Sequence, residues 1–326
     1  MPDDQDTPVV PGADDTSRQG SNRTLQHAFS GIAREFQRHA TATAPIPQEA
    51  RAQCLYGLAQ IAVAGRLLLR HRTLARAALV PAMSFAVLCA IFAAIQLNDT
   101  EPLHAAQRFY GLLVSAAPIS PVLFTHSYAK LAARAQTYAG LPARQPFLRG
   151  YVQASWETLV QLFVIGAGLA PLVAILSLTG DASGPLIVVT YAIWALHWIF
   201  IEALDSSRTL QHGVRPMTEP AGEMPLAPWY QSSCDPSLPR ALRIVFTPVR
   251  WWGAMLARLT RRWRPEVRVV ETHPWLAVGF SAGAALVLAI PGVNLFFRPV
   301  VVVAAALLWA HLGNDSEPAP PTTGNA

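Results

Sequence analysis

The chain has 326 residues, of which 52% are hydrophobic and only 14% charged. A soluble domain carries about 25% charged residues, so this chain lacks the polar surface of a water-facing globule. Its net charge of +5 sits beside apolar blocks, which points to lipid headgroups as partner and not to nucleic acid.

Residues 1 to 48 are rich in Asp, Thr, Gln, Ser and Pro and read as disordered, with one amphipathic helix expected around Leu25 to His39. Gln53 to Arg70 is apolar but short of strong hydrophobes, and is expected as an interfacial helix on the cytoplasmic leaflet. The first strong span is Leu74 to Leu97, long enough for a bilayer core of about 30 Å, with Pro81 in its first turns. Phe109 to Ser127 is a second span, broken by Pro118 and Pro121. Leu159 to Leu178 and Leu186 to Leu204 follow, joined by a tight turn over Gly180 to Pro185.

A long polar segment, 205 to 273, comes next, and its part from 240 to 264 mixes Trp251, Trp252, Met255 and Leu256 with Arg250, Arg258, Arg261 and Arg262. That pattern predicts a basic helix at a membrane surface. Pro274 to Ile290 and Leu295 to His311 are two short apolar helices at the lower length limit for a crossing, so they either span or dip in and return. The tail from 313 is Pro-rich and reads as disordered. The fold class is therefore all-α: a polytopic integral membrane protein with about six membrane-embedded helices and a membrane domain over 49–312.

Apart from Arg108 and Arg298, the 25 Lys and Arg residues fall up to the first turn of the first span or in the loops 128–155 and 205–273. Basic residues near span ends mark the cytoplasmic side, which places both termini there and makes a bacterial inner membrane the expected home. Cys54, Cys89 and Cys234 have no CxxC or CxxH spacing, so neither a metal site nor a cofactor is implied.

Four constellations could carry chemistry. Gly279-Phe280-Ser281-Ala282-Gly283 matches GxSxG, but that nucleophile turn requires a strand before it, and here it lies in a helical run where GxxxG packing is the better reading. Register also argues against a base for Ser281: the residue level with it on the last helix is near Ala304, and no enzyme is expected. His197 is the ionisable group near the centre of a strong span and is a pathway candidate; a hydrogen bond to Gln161 is its bland alternative. Glu202 and Asp205 are expected at the cytoplasmic interface, pairing with arginines. Arg66, Arg70, Arg72 and Arg76 flank the first span, and a helix beginning near Thr73 would add free N–H groups and a dipole to Arg72 and Arg76, which together make an anion site.

Three stretches resemble the CysZ-type sulfate permeases, the bacterial branch of the etoposide-induced membrane protein family. They are Leu67-Leu68-Leu69-Arg70-His71-Arg72-Thr73-Leu74-Ala75-Arg76 running into Pro81, Ile201-Glu202-Ala203-Leu204-Asp205, and Ile290-Pro291-Gly292-Val293-Asn294-Leu295 followed by Pro299 and Trp309. Where the family has a Gly-Leu-Arg turn, this chain has Thr73-Leu74-Ala75 with arginine one place later. The resemblance implies a permease for sulfate or a similar small inorganic anion, bound by Arg72, Thr73, Leu74 and Arg76. It also implies long spans mixed with half-penetrating hairpins, and a homo-oligomer. Asn294 and Arg298, at the inter-helix turn, join His197 as pathway candidates. The alternative is a non-transport scaffold or envelope-assembly factor acting through the basic segment 205–273.

Overall fold

The computed structural model of the chain describes residues 30–31, 33–41, 44–95, 102–115, 120–142, 145–210, 239–289 and 294–314. The expected disorder before 30 and after 314, the irregular loop over 211–238 with Cys234, and the turn at 290–293 lie outside the described residues. Helices α1 (Ala50–Arg70) and α2 (Arg72–Ile95) meet at a corner, followed by α3 (Pro102–Ser115), the short α4 (Ser120–Leu123) and α5 (Thr125–Tyr138). Next come α6 (Tyr151–Ala167), α7 (Ala170–Leu176), a 3-10 turn over Ser177–Ala182, and α8 (Ser183–Ser206). After the long segment come α9 (Arg240–Val245), α10 (Thr247–Leu259), α11 (Arg264–Thr272), α12 (Pro274–Leu288) and α13 (Asn294–Asn314). The class is all-α. The one exception among the described residues is a two-residue antiparallel pairing, Gln145 with Leu210 and Pro146 with Thr209, which ties the chain entering α6 to the chain leaving α8.

Four helices are long and apolar enough to cross a membrane: α1, α2, α6 continued through α7, and α8. Helices of spanning length thus stand where Leu74–Leu97, described to Ile95, Leu159–Leu178 and Leu186–Leu204 were expected. Gly180 makes the turn between the last two with φ of +67°, a conformation that glycine adopts without a Cβ clash.

Three expectations are corrected. Gln53–Arg70 does not lie on a surface: α1 is a core helix, with Tyr56, Ala59 and Ala64 fully buried. Its small residues admit α12 at backbone distance, so a Cβ added at Gly57 would lie 2.5 Å from the Leu276 carbonyl oxygen. Phe109–Ser127 is not one helix, because α3 ends at Ser115 and a new helix starts at Thr125. Among the described residues the break falls at Phe124, whose φ of −111° and ψ of 20° leave the helical region between α4 and α5. The loop expected from 128 holds most of α5, whose Leu131, Ala132 and Ala135 pack into the core.

At the centre runs α13. Every residue from Val301 to Leu308 is buried, so the helix is covered on all sides rather than along one stripe. Gln136 of α5 donates its Nε2 to the Ala306 carbonyl at 2.8 Å, and Trp309 donates its indole N–H to the Leu204 carbonyl at 2.8 Å. Its partner α12 has 15 residues, about 22 Å at 1.5 Å per residue, short of the ~30 Å hydrocarbon core. The N-terminal segment is less detached than expected: residues 33–39 are helical, and the Tyr56 hydroxyl donates to the Ala44 carbonyl at 2.9 Å.

Candidate functional site

A buried charge network fills the space where the ends of α6 and α8 meet α11. Arg149, just before α6, grips Asp205 near the end of α8 with both terminal nitrogens, at 2.8 and 2.6 Å. It also donates to the Asp205 carbonyl at 2.6 Å and to Glu157 at 3.4 Å. Arg262 reaches the same Asp205 carboxylate at 3.0 and 3.1 Å and pairs with Glu157. Arg208 pairs with Glu266 of α11, which has no exposed surface. The side chains of Arg149, Asp205 and Glu157 are each less than a tenth exposed. The Phe147 ring lies 5.4 Å from the Arg149 guanidinium and 6.0 Å from that of Arg208. Burying such charges is costly unless each finds partners, and here every cation has a carboxylate.

Glu202, one turn before Asp205, pairs with Arg298 of α13 and accepts the Ser206 hydroxyl at 2.8 Å. The positive-inside count had put Arg298 in an outer connection; the structure brings it to the level of the carboxylates, because the short α12–α13 hairpin and a long side chain let it reach back. A small cleft of about 30 Å³, partly open to solvent, lies against this network. Thr125, Tyr128, Arg149, Glu157, Thr158, Gln161, Glu202 and Asp205 are among its lining residues. Gln161 is nine-tenths buried and its Nε2 has no hydrogen-bond partner.

His197 is buried deeper on α8, stacked on Trp194 at 6.0 Å and edge-on to Trp198 at 5.9 Å. The bond to Gln161 does not form: the Nε2 atoms of both side chains are unpartnered. The two sit at one level, since Trp194 donates to Val164 at 3.2 Å while Glu157 and Asp205 share their arginines, fixing an antiparallel register. Asn294 opens α13.

The start of α2 is a different environment. His71 stacks on Tyr138 of α5 at 4.5 Å, and Thr73 shares a 2.7 Å hydrogen bond with the Tyr138 hydroxyl. Leu74 is fully buried, whereas Arg66, Arg70, Arg72 and Arg76 are all exposed. None of the four arginines makes an ion pair among the described residues. Helix α5 links the two places: Tyr138 is at the α2 start and Tyr128 is in the cleft, ten residues or about 15 Å apart.

Of the residues expected from sequence, Asp205 and Glu202 do pair with arginines, and Arg298 joins them; His197 lies below and the α2 start stands apart. Arg149, Glu157 and Glu266 were not anticipated. A signal existed in Gln153, Glu157 and Gln161, polar residues at i, i+4 and i+8 along one face of α6. Ser281 is buried in α12 with its hydroxyl unpartnered, and Gly279 and Gly283 face α1, as the packing reading required. His311 uses Nδ1 on its own Leu307 carbonyl at 2.7 Å.

Burial raises the Glu266 carboxyl above its usual 4.5, with Arg208 pulling the other way. Burial, then repulsion from Arg149, lowers Arg262 to about 9. A carboxyl raised in the folded state favours folding below its unfolded value, and that contribution is lost as pH rises through the folded one. The thermal midpoint should therefore fall as pH rises from 4.5 through that window, and thermal scans of Glu266→Gln across the same pH range should lack that component.

No family model, curated protein or solved structure matches the chain. Fold and site define an all-α membrane protein with a fully compensated buried charge network and a separate, uncompensated arginine cluster.

Proposed function

We propose that the chain is a permease for sulfate or a similar small oxyanion, set in a bacterial inner membrane as a homo-oligomer. The observation that carries this reading is the contrast between its two sets of arginines. Those of the cleft are bound to carboxylates, whereas Arg66, Arg70, Arg72 and Arg76 are exposed and unpaired around the first turn of a 24-residue helix. A helix N-terminus carries roughly half a positive charge and free N–H donors, so Arg72, Thr73, Leu74 and Arg76 form the cytoplasmic anion site. The stretch from Leu67 to Pro81 resembles the corresponding stretch of the CysZ-type permeases, with Thr73-Leu74-Ala75 and then Arg76 where that family has Gly-Leu-Arg.

From that site the route follows α5 to the cleft, where Glu202 with Arg298, then Gln161 and His197, continue it. Charged and polar groups among apolar helices are expensive and commonly mark substrate paths. The scaffold alternative would act through the basic segment, whose Val249, Leu256, Trp263 and Val267 face inward while Arg250, Arg258 and Arg261 stay exposed.

Sulfate titrated against purified protein tests the site directly. Arg76→Ala removes a charge-assisted donor, a class of bond worth about 1.5–3 kcal/mol. Affinity should fall roughly 10- to 100-fold with the thermal midpoint unchanged, and undiminished affinity would contradict the assignment.

A further inference from the structure

The basic helix expected at a membrane surface is also docked, by its apolar face, along the α6–α8 pair. Arg262 pairs with Glu157, and the Trp252 indole N–H is shared by the Ala167 and Gly168 carbonyls, each at 3.1 Å. Ten residues separate the two contacts on each strand of chain, so α10 and the turn after it together run antiparallel beside α6 from Ala167 back to Glu157, about 15 Å. Val249, Gly253 and Leu256 form its buried face. On its other face Arg250, Trp251, Arg258 and Arg261 are exposed, Trp251 at 69%. The three arginines make no ion pair among the described residues.

This docking conflicts with an upright α6. By the same register Arg258 lies level with Gln161, ten residues or about 15 Å along α6 from Tyr151. In a core of about 30 Å that is mid-depth, farther from water than an arginine stem can carry its head by snorkelling. Arginine is among the costliest side chains to leave at that depth. An arginine–tryptophan face fits the headgroup layer, and α6 and α8 expose Trp156, Leu159, Leu162, Val189 and Ile193 for acyl chains.

We infer that α10 lies in the headgroup plane with its Arg250–Trp251–Arg258–Arg261 face binding anionic phospholipid, and that the attached α6–α8 hairpin enters the bilayer at a shallow slant. The hairpin then returns to the side it left. The inference stands whether or not the chain transports anions.

Two measurements on the full chain in phosphatidylglycerol/phosphatidylcholine vesicles test it. Nitroxides at Trp251→Cys and Leu259→Cys, with Cys54, Cys89 and Cys234 replaced by alanine, are eight residues or about 12 Å apart along the helix. Power saturation should give both the same headgroup depth; depths differing by about 12 Å would overturn the inference. In the native-cysteine protein, spin-labelled phosphatidylglycerol should be immobilised in preference to phosphatidylcholine. Each arginine near an anionic surface contributes roughly fivefold, so the preference should drop at least fivefold in the Arg250→Gln/Arg258→Gln/Arg261→Gln variant. An unchanged preference in that variant would equally overturn the inference.

Discussion

Arg149→Ala should destabilise the protein by about 3–5 kcal/mol, the cost of removing one partner from a buried ion pair. Its bidentate grip on Asp205 at 2.8 and 2.6 Å is the shortest route by which that carboxylate is neutralised. The third contact, to the Asp205 carbonyl at 2.6 Å, satisfies backbone at the end of α8. Without Arg149, Asp205 keeps Arg262 at 3.0 Å, which Glu157 must share, and Arg208 at 4.0 Å, which is already committed to Glu266. Thermal unfolding in detergent would show the loss as a lower midpoint. The combined Arg149→Met/Asp205→Asn variant removes one charge of each sign and leaves the network balanced. It should lose less than the sum of the two single variants, as residues within one network couple by about 0.5–3 kcal/mol. Strict additivity would mean that the two side chains do not act on each other.

Gly279→Val should disrupt the α1–α12 contact outright. A Cβ there would lie 2.6 Å from the carbonyl carbon of Cys54 and 2.8 Å from its Cα. Those atoms are backbone and have no rotamer to give, so the two helices must separate. Overpacking in a tight core costs about 1–3 kcal/mol and occasionally more, and this position belongs at the upper end. Gly65→Ala on α1 is the control, since nothing lies within 4 Å of its added Cβ. It should be neutral or raise stability by up to about 1 kcal/mol, the helix preference of alanine over glycine. Equal losses in the two variants would argue against close approach at Gly279.

The parts of the fold legible in the sequence were those in which hydrophobicity alone decides. Helix α2 and the α6–α8 pair are long apolar runs, and Gly180 marks the turn between the latter two. The misreadings have a common cause: apolar pattern does not say what covers a face. Helix α1 looked weakly hydrophobic because it is rich in small residues, and small residues are what let helices approach closely in lipid. Helix α5 looked like a loop because Lys130 and Arg134 interrupt it, yet Leu131, Ala132 and Ala135 pack into the core. The apolar stripe of α10 was assigned to lipid, and α6 with its neighbours covers it instead. The charge network was illegible for a different reason, since it joins residues from Arg149 to Glu266 that are far apart in sequence and meet only when α11 folds back on α8. The arginines around the start of α2 were visible as a run in the sequence, and the structure leaves all four exposed.

Radiolabelled sulfate uptake into proteoliposomes holding the purified protein tests the permease reading most directly, with empty vesicles and the Arg76→Ala variant in parallel. The expected result is uptake above empty vesicles that falls in the variant while insertion and thermal midpoint stay as in the native chain. Uptake by folded, inserted native protein no greater than in empty vesicles would contradict sulfate transport.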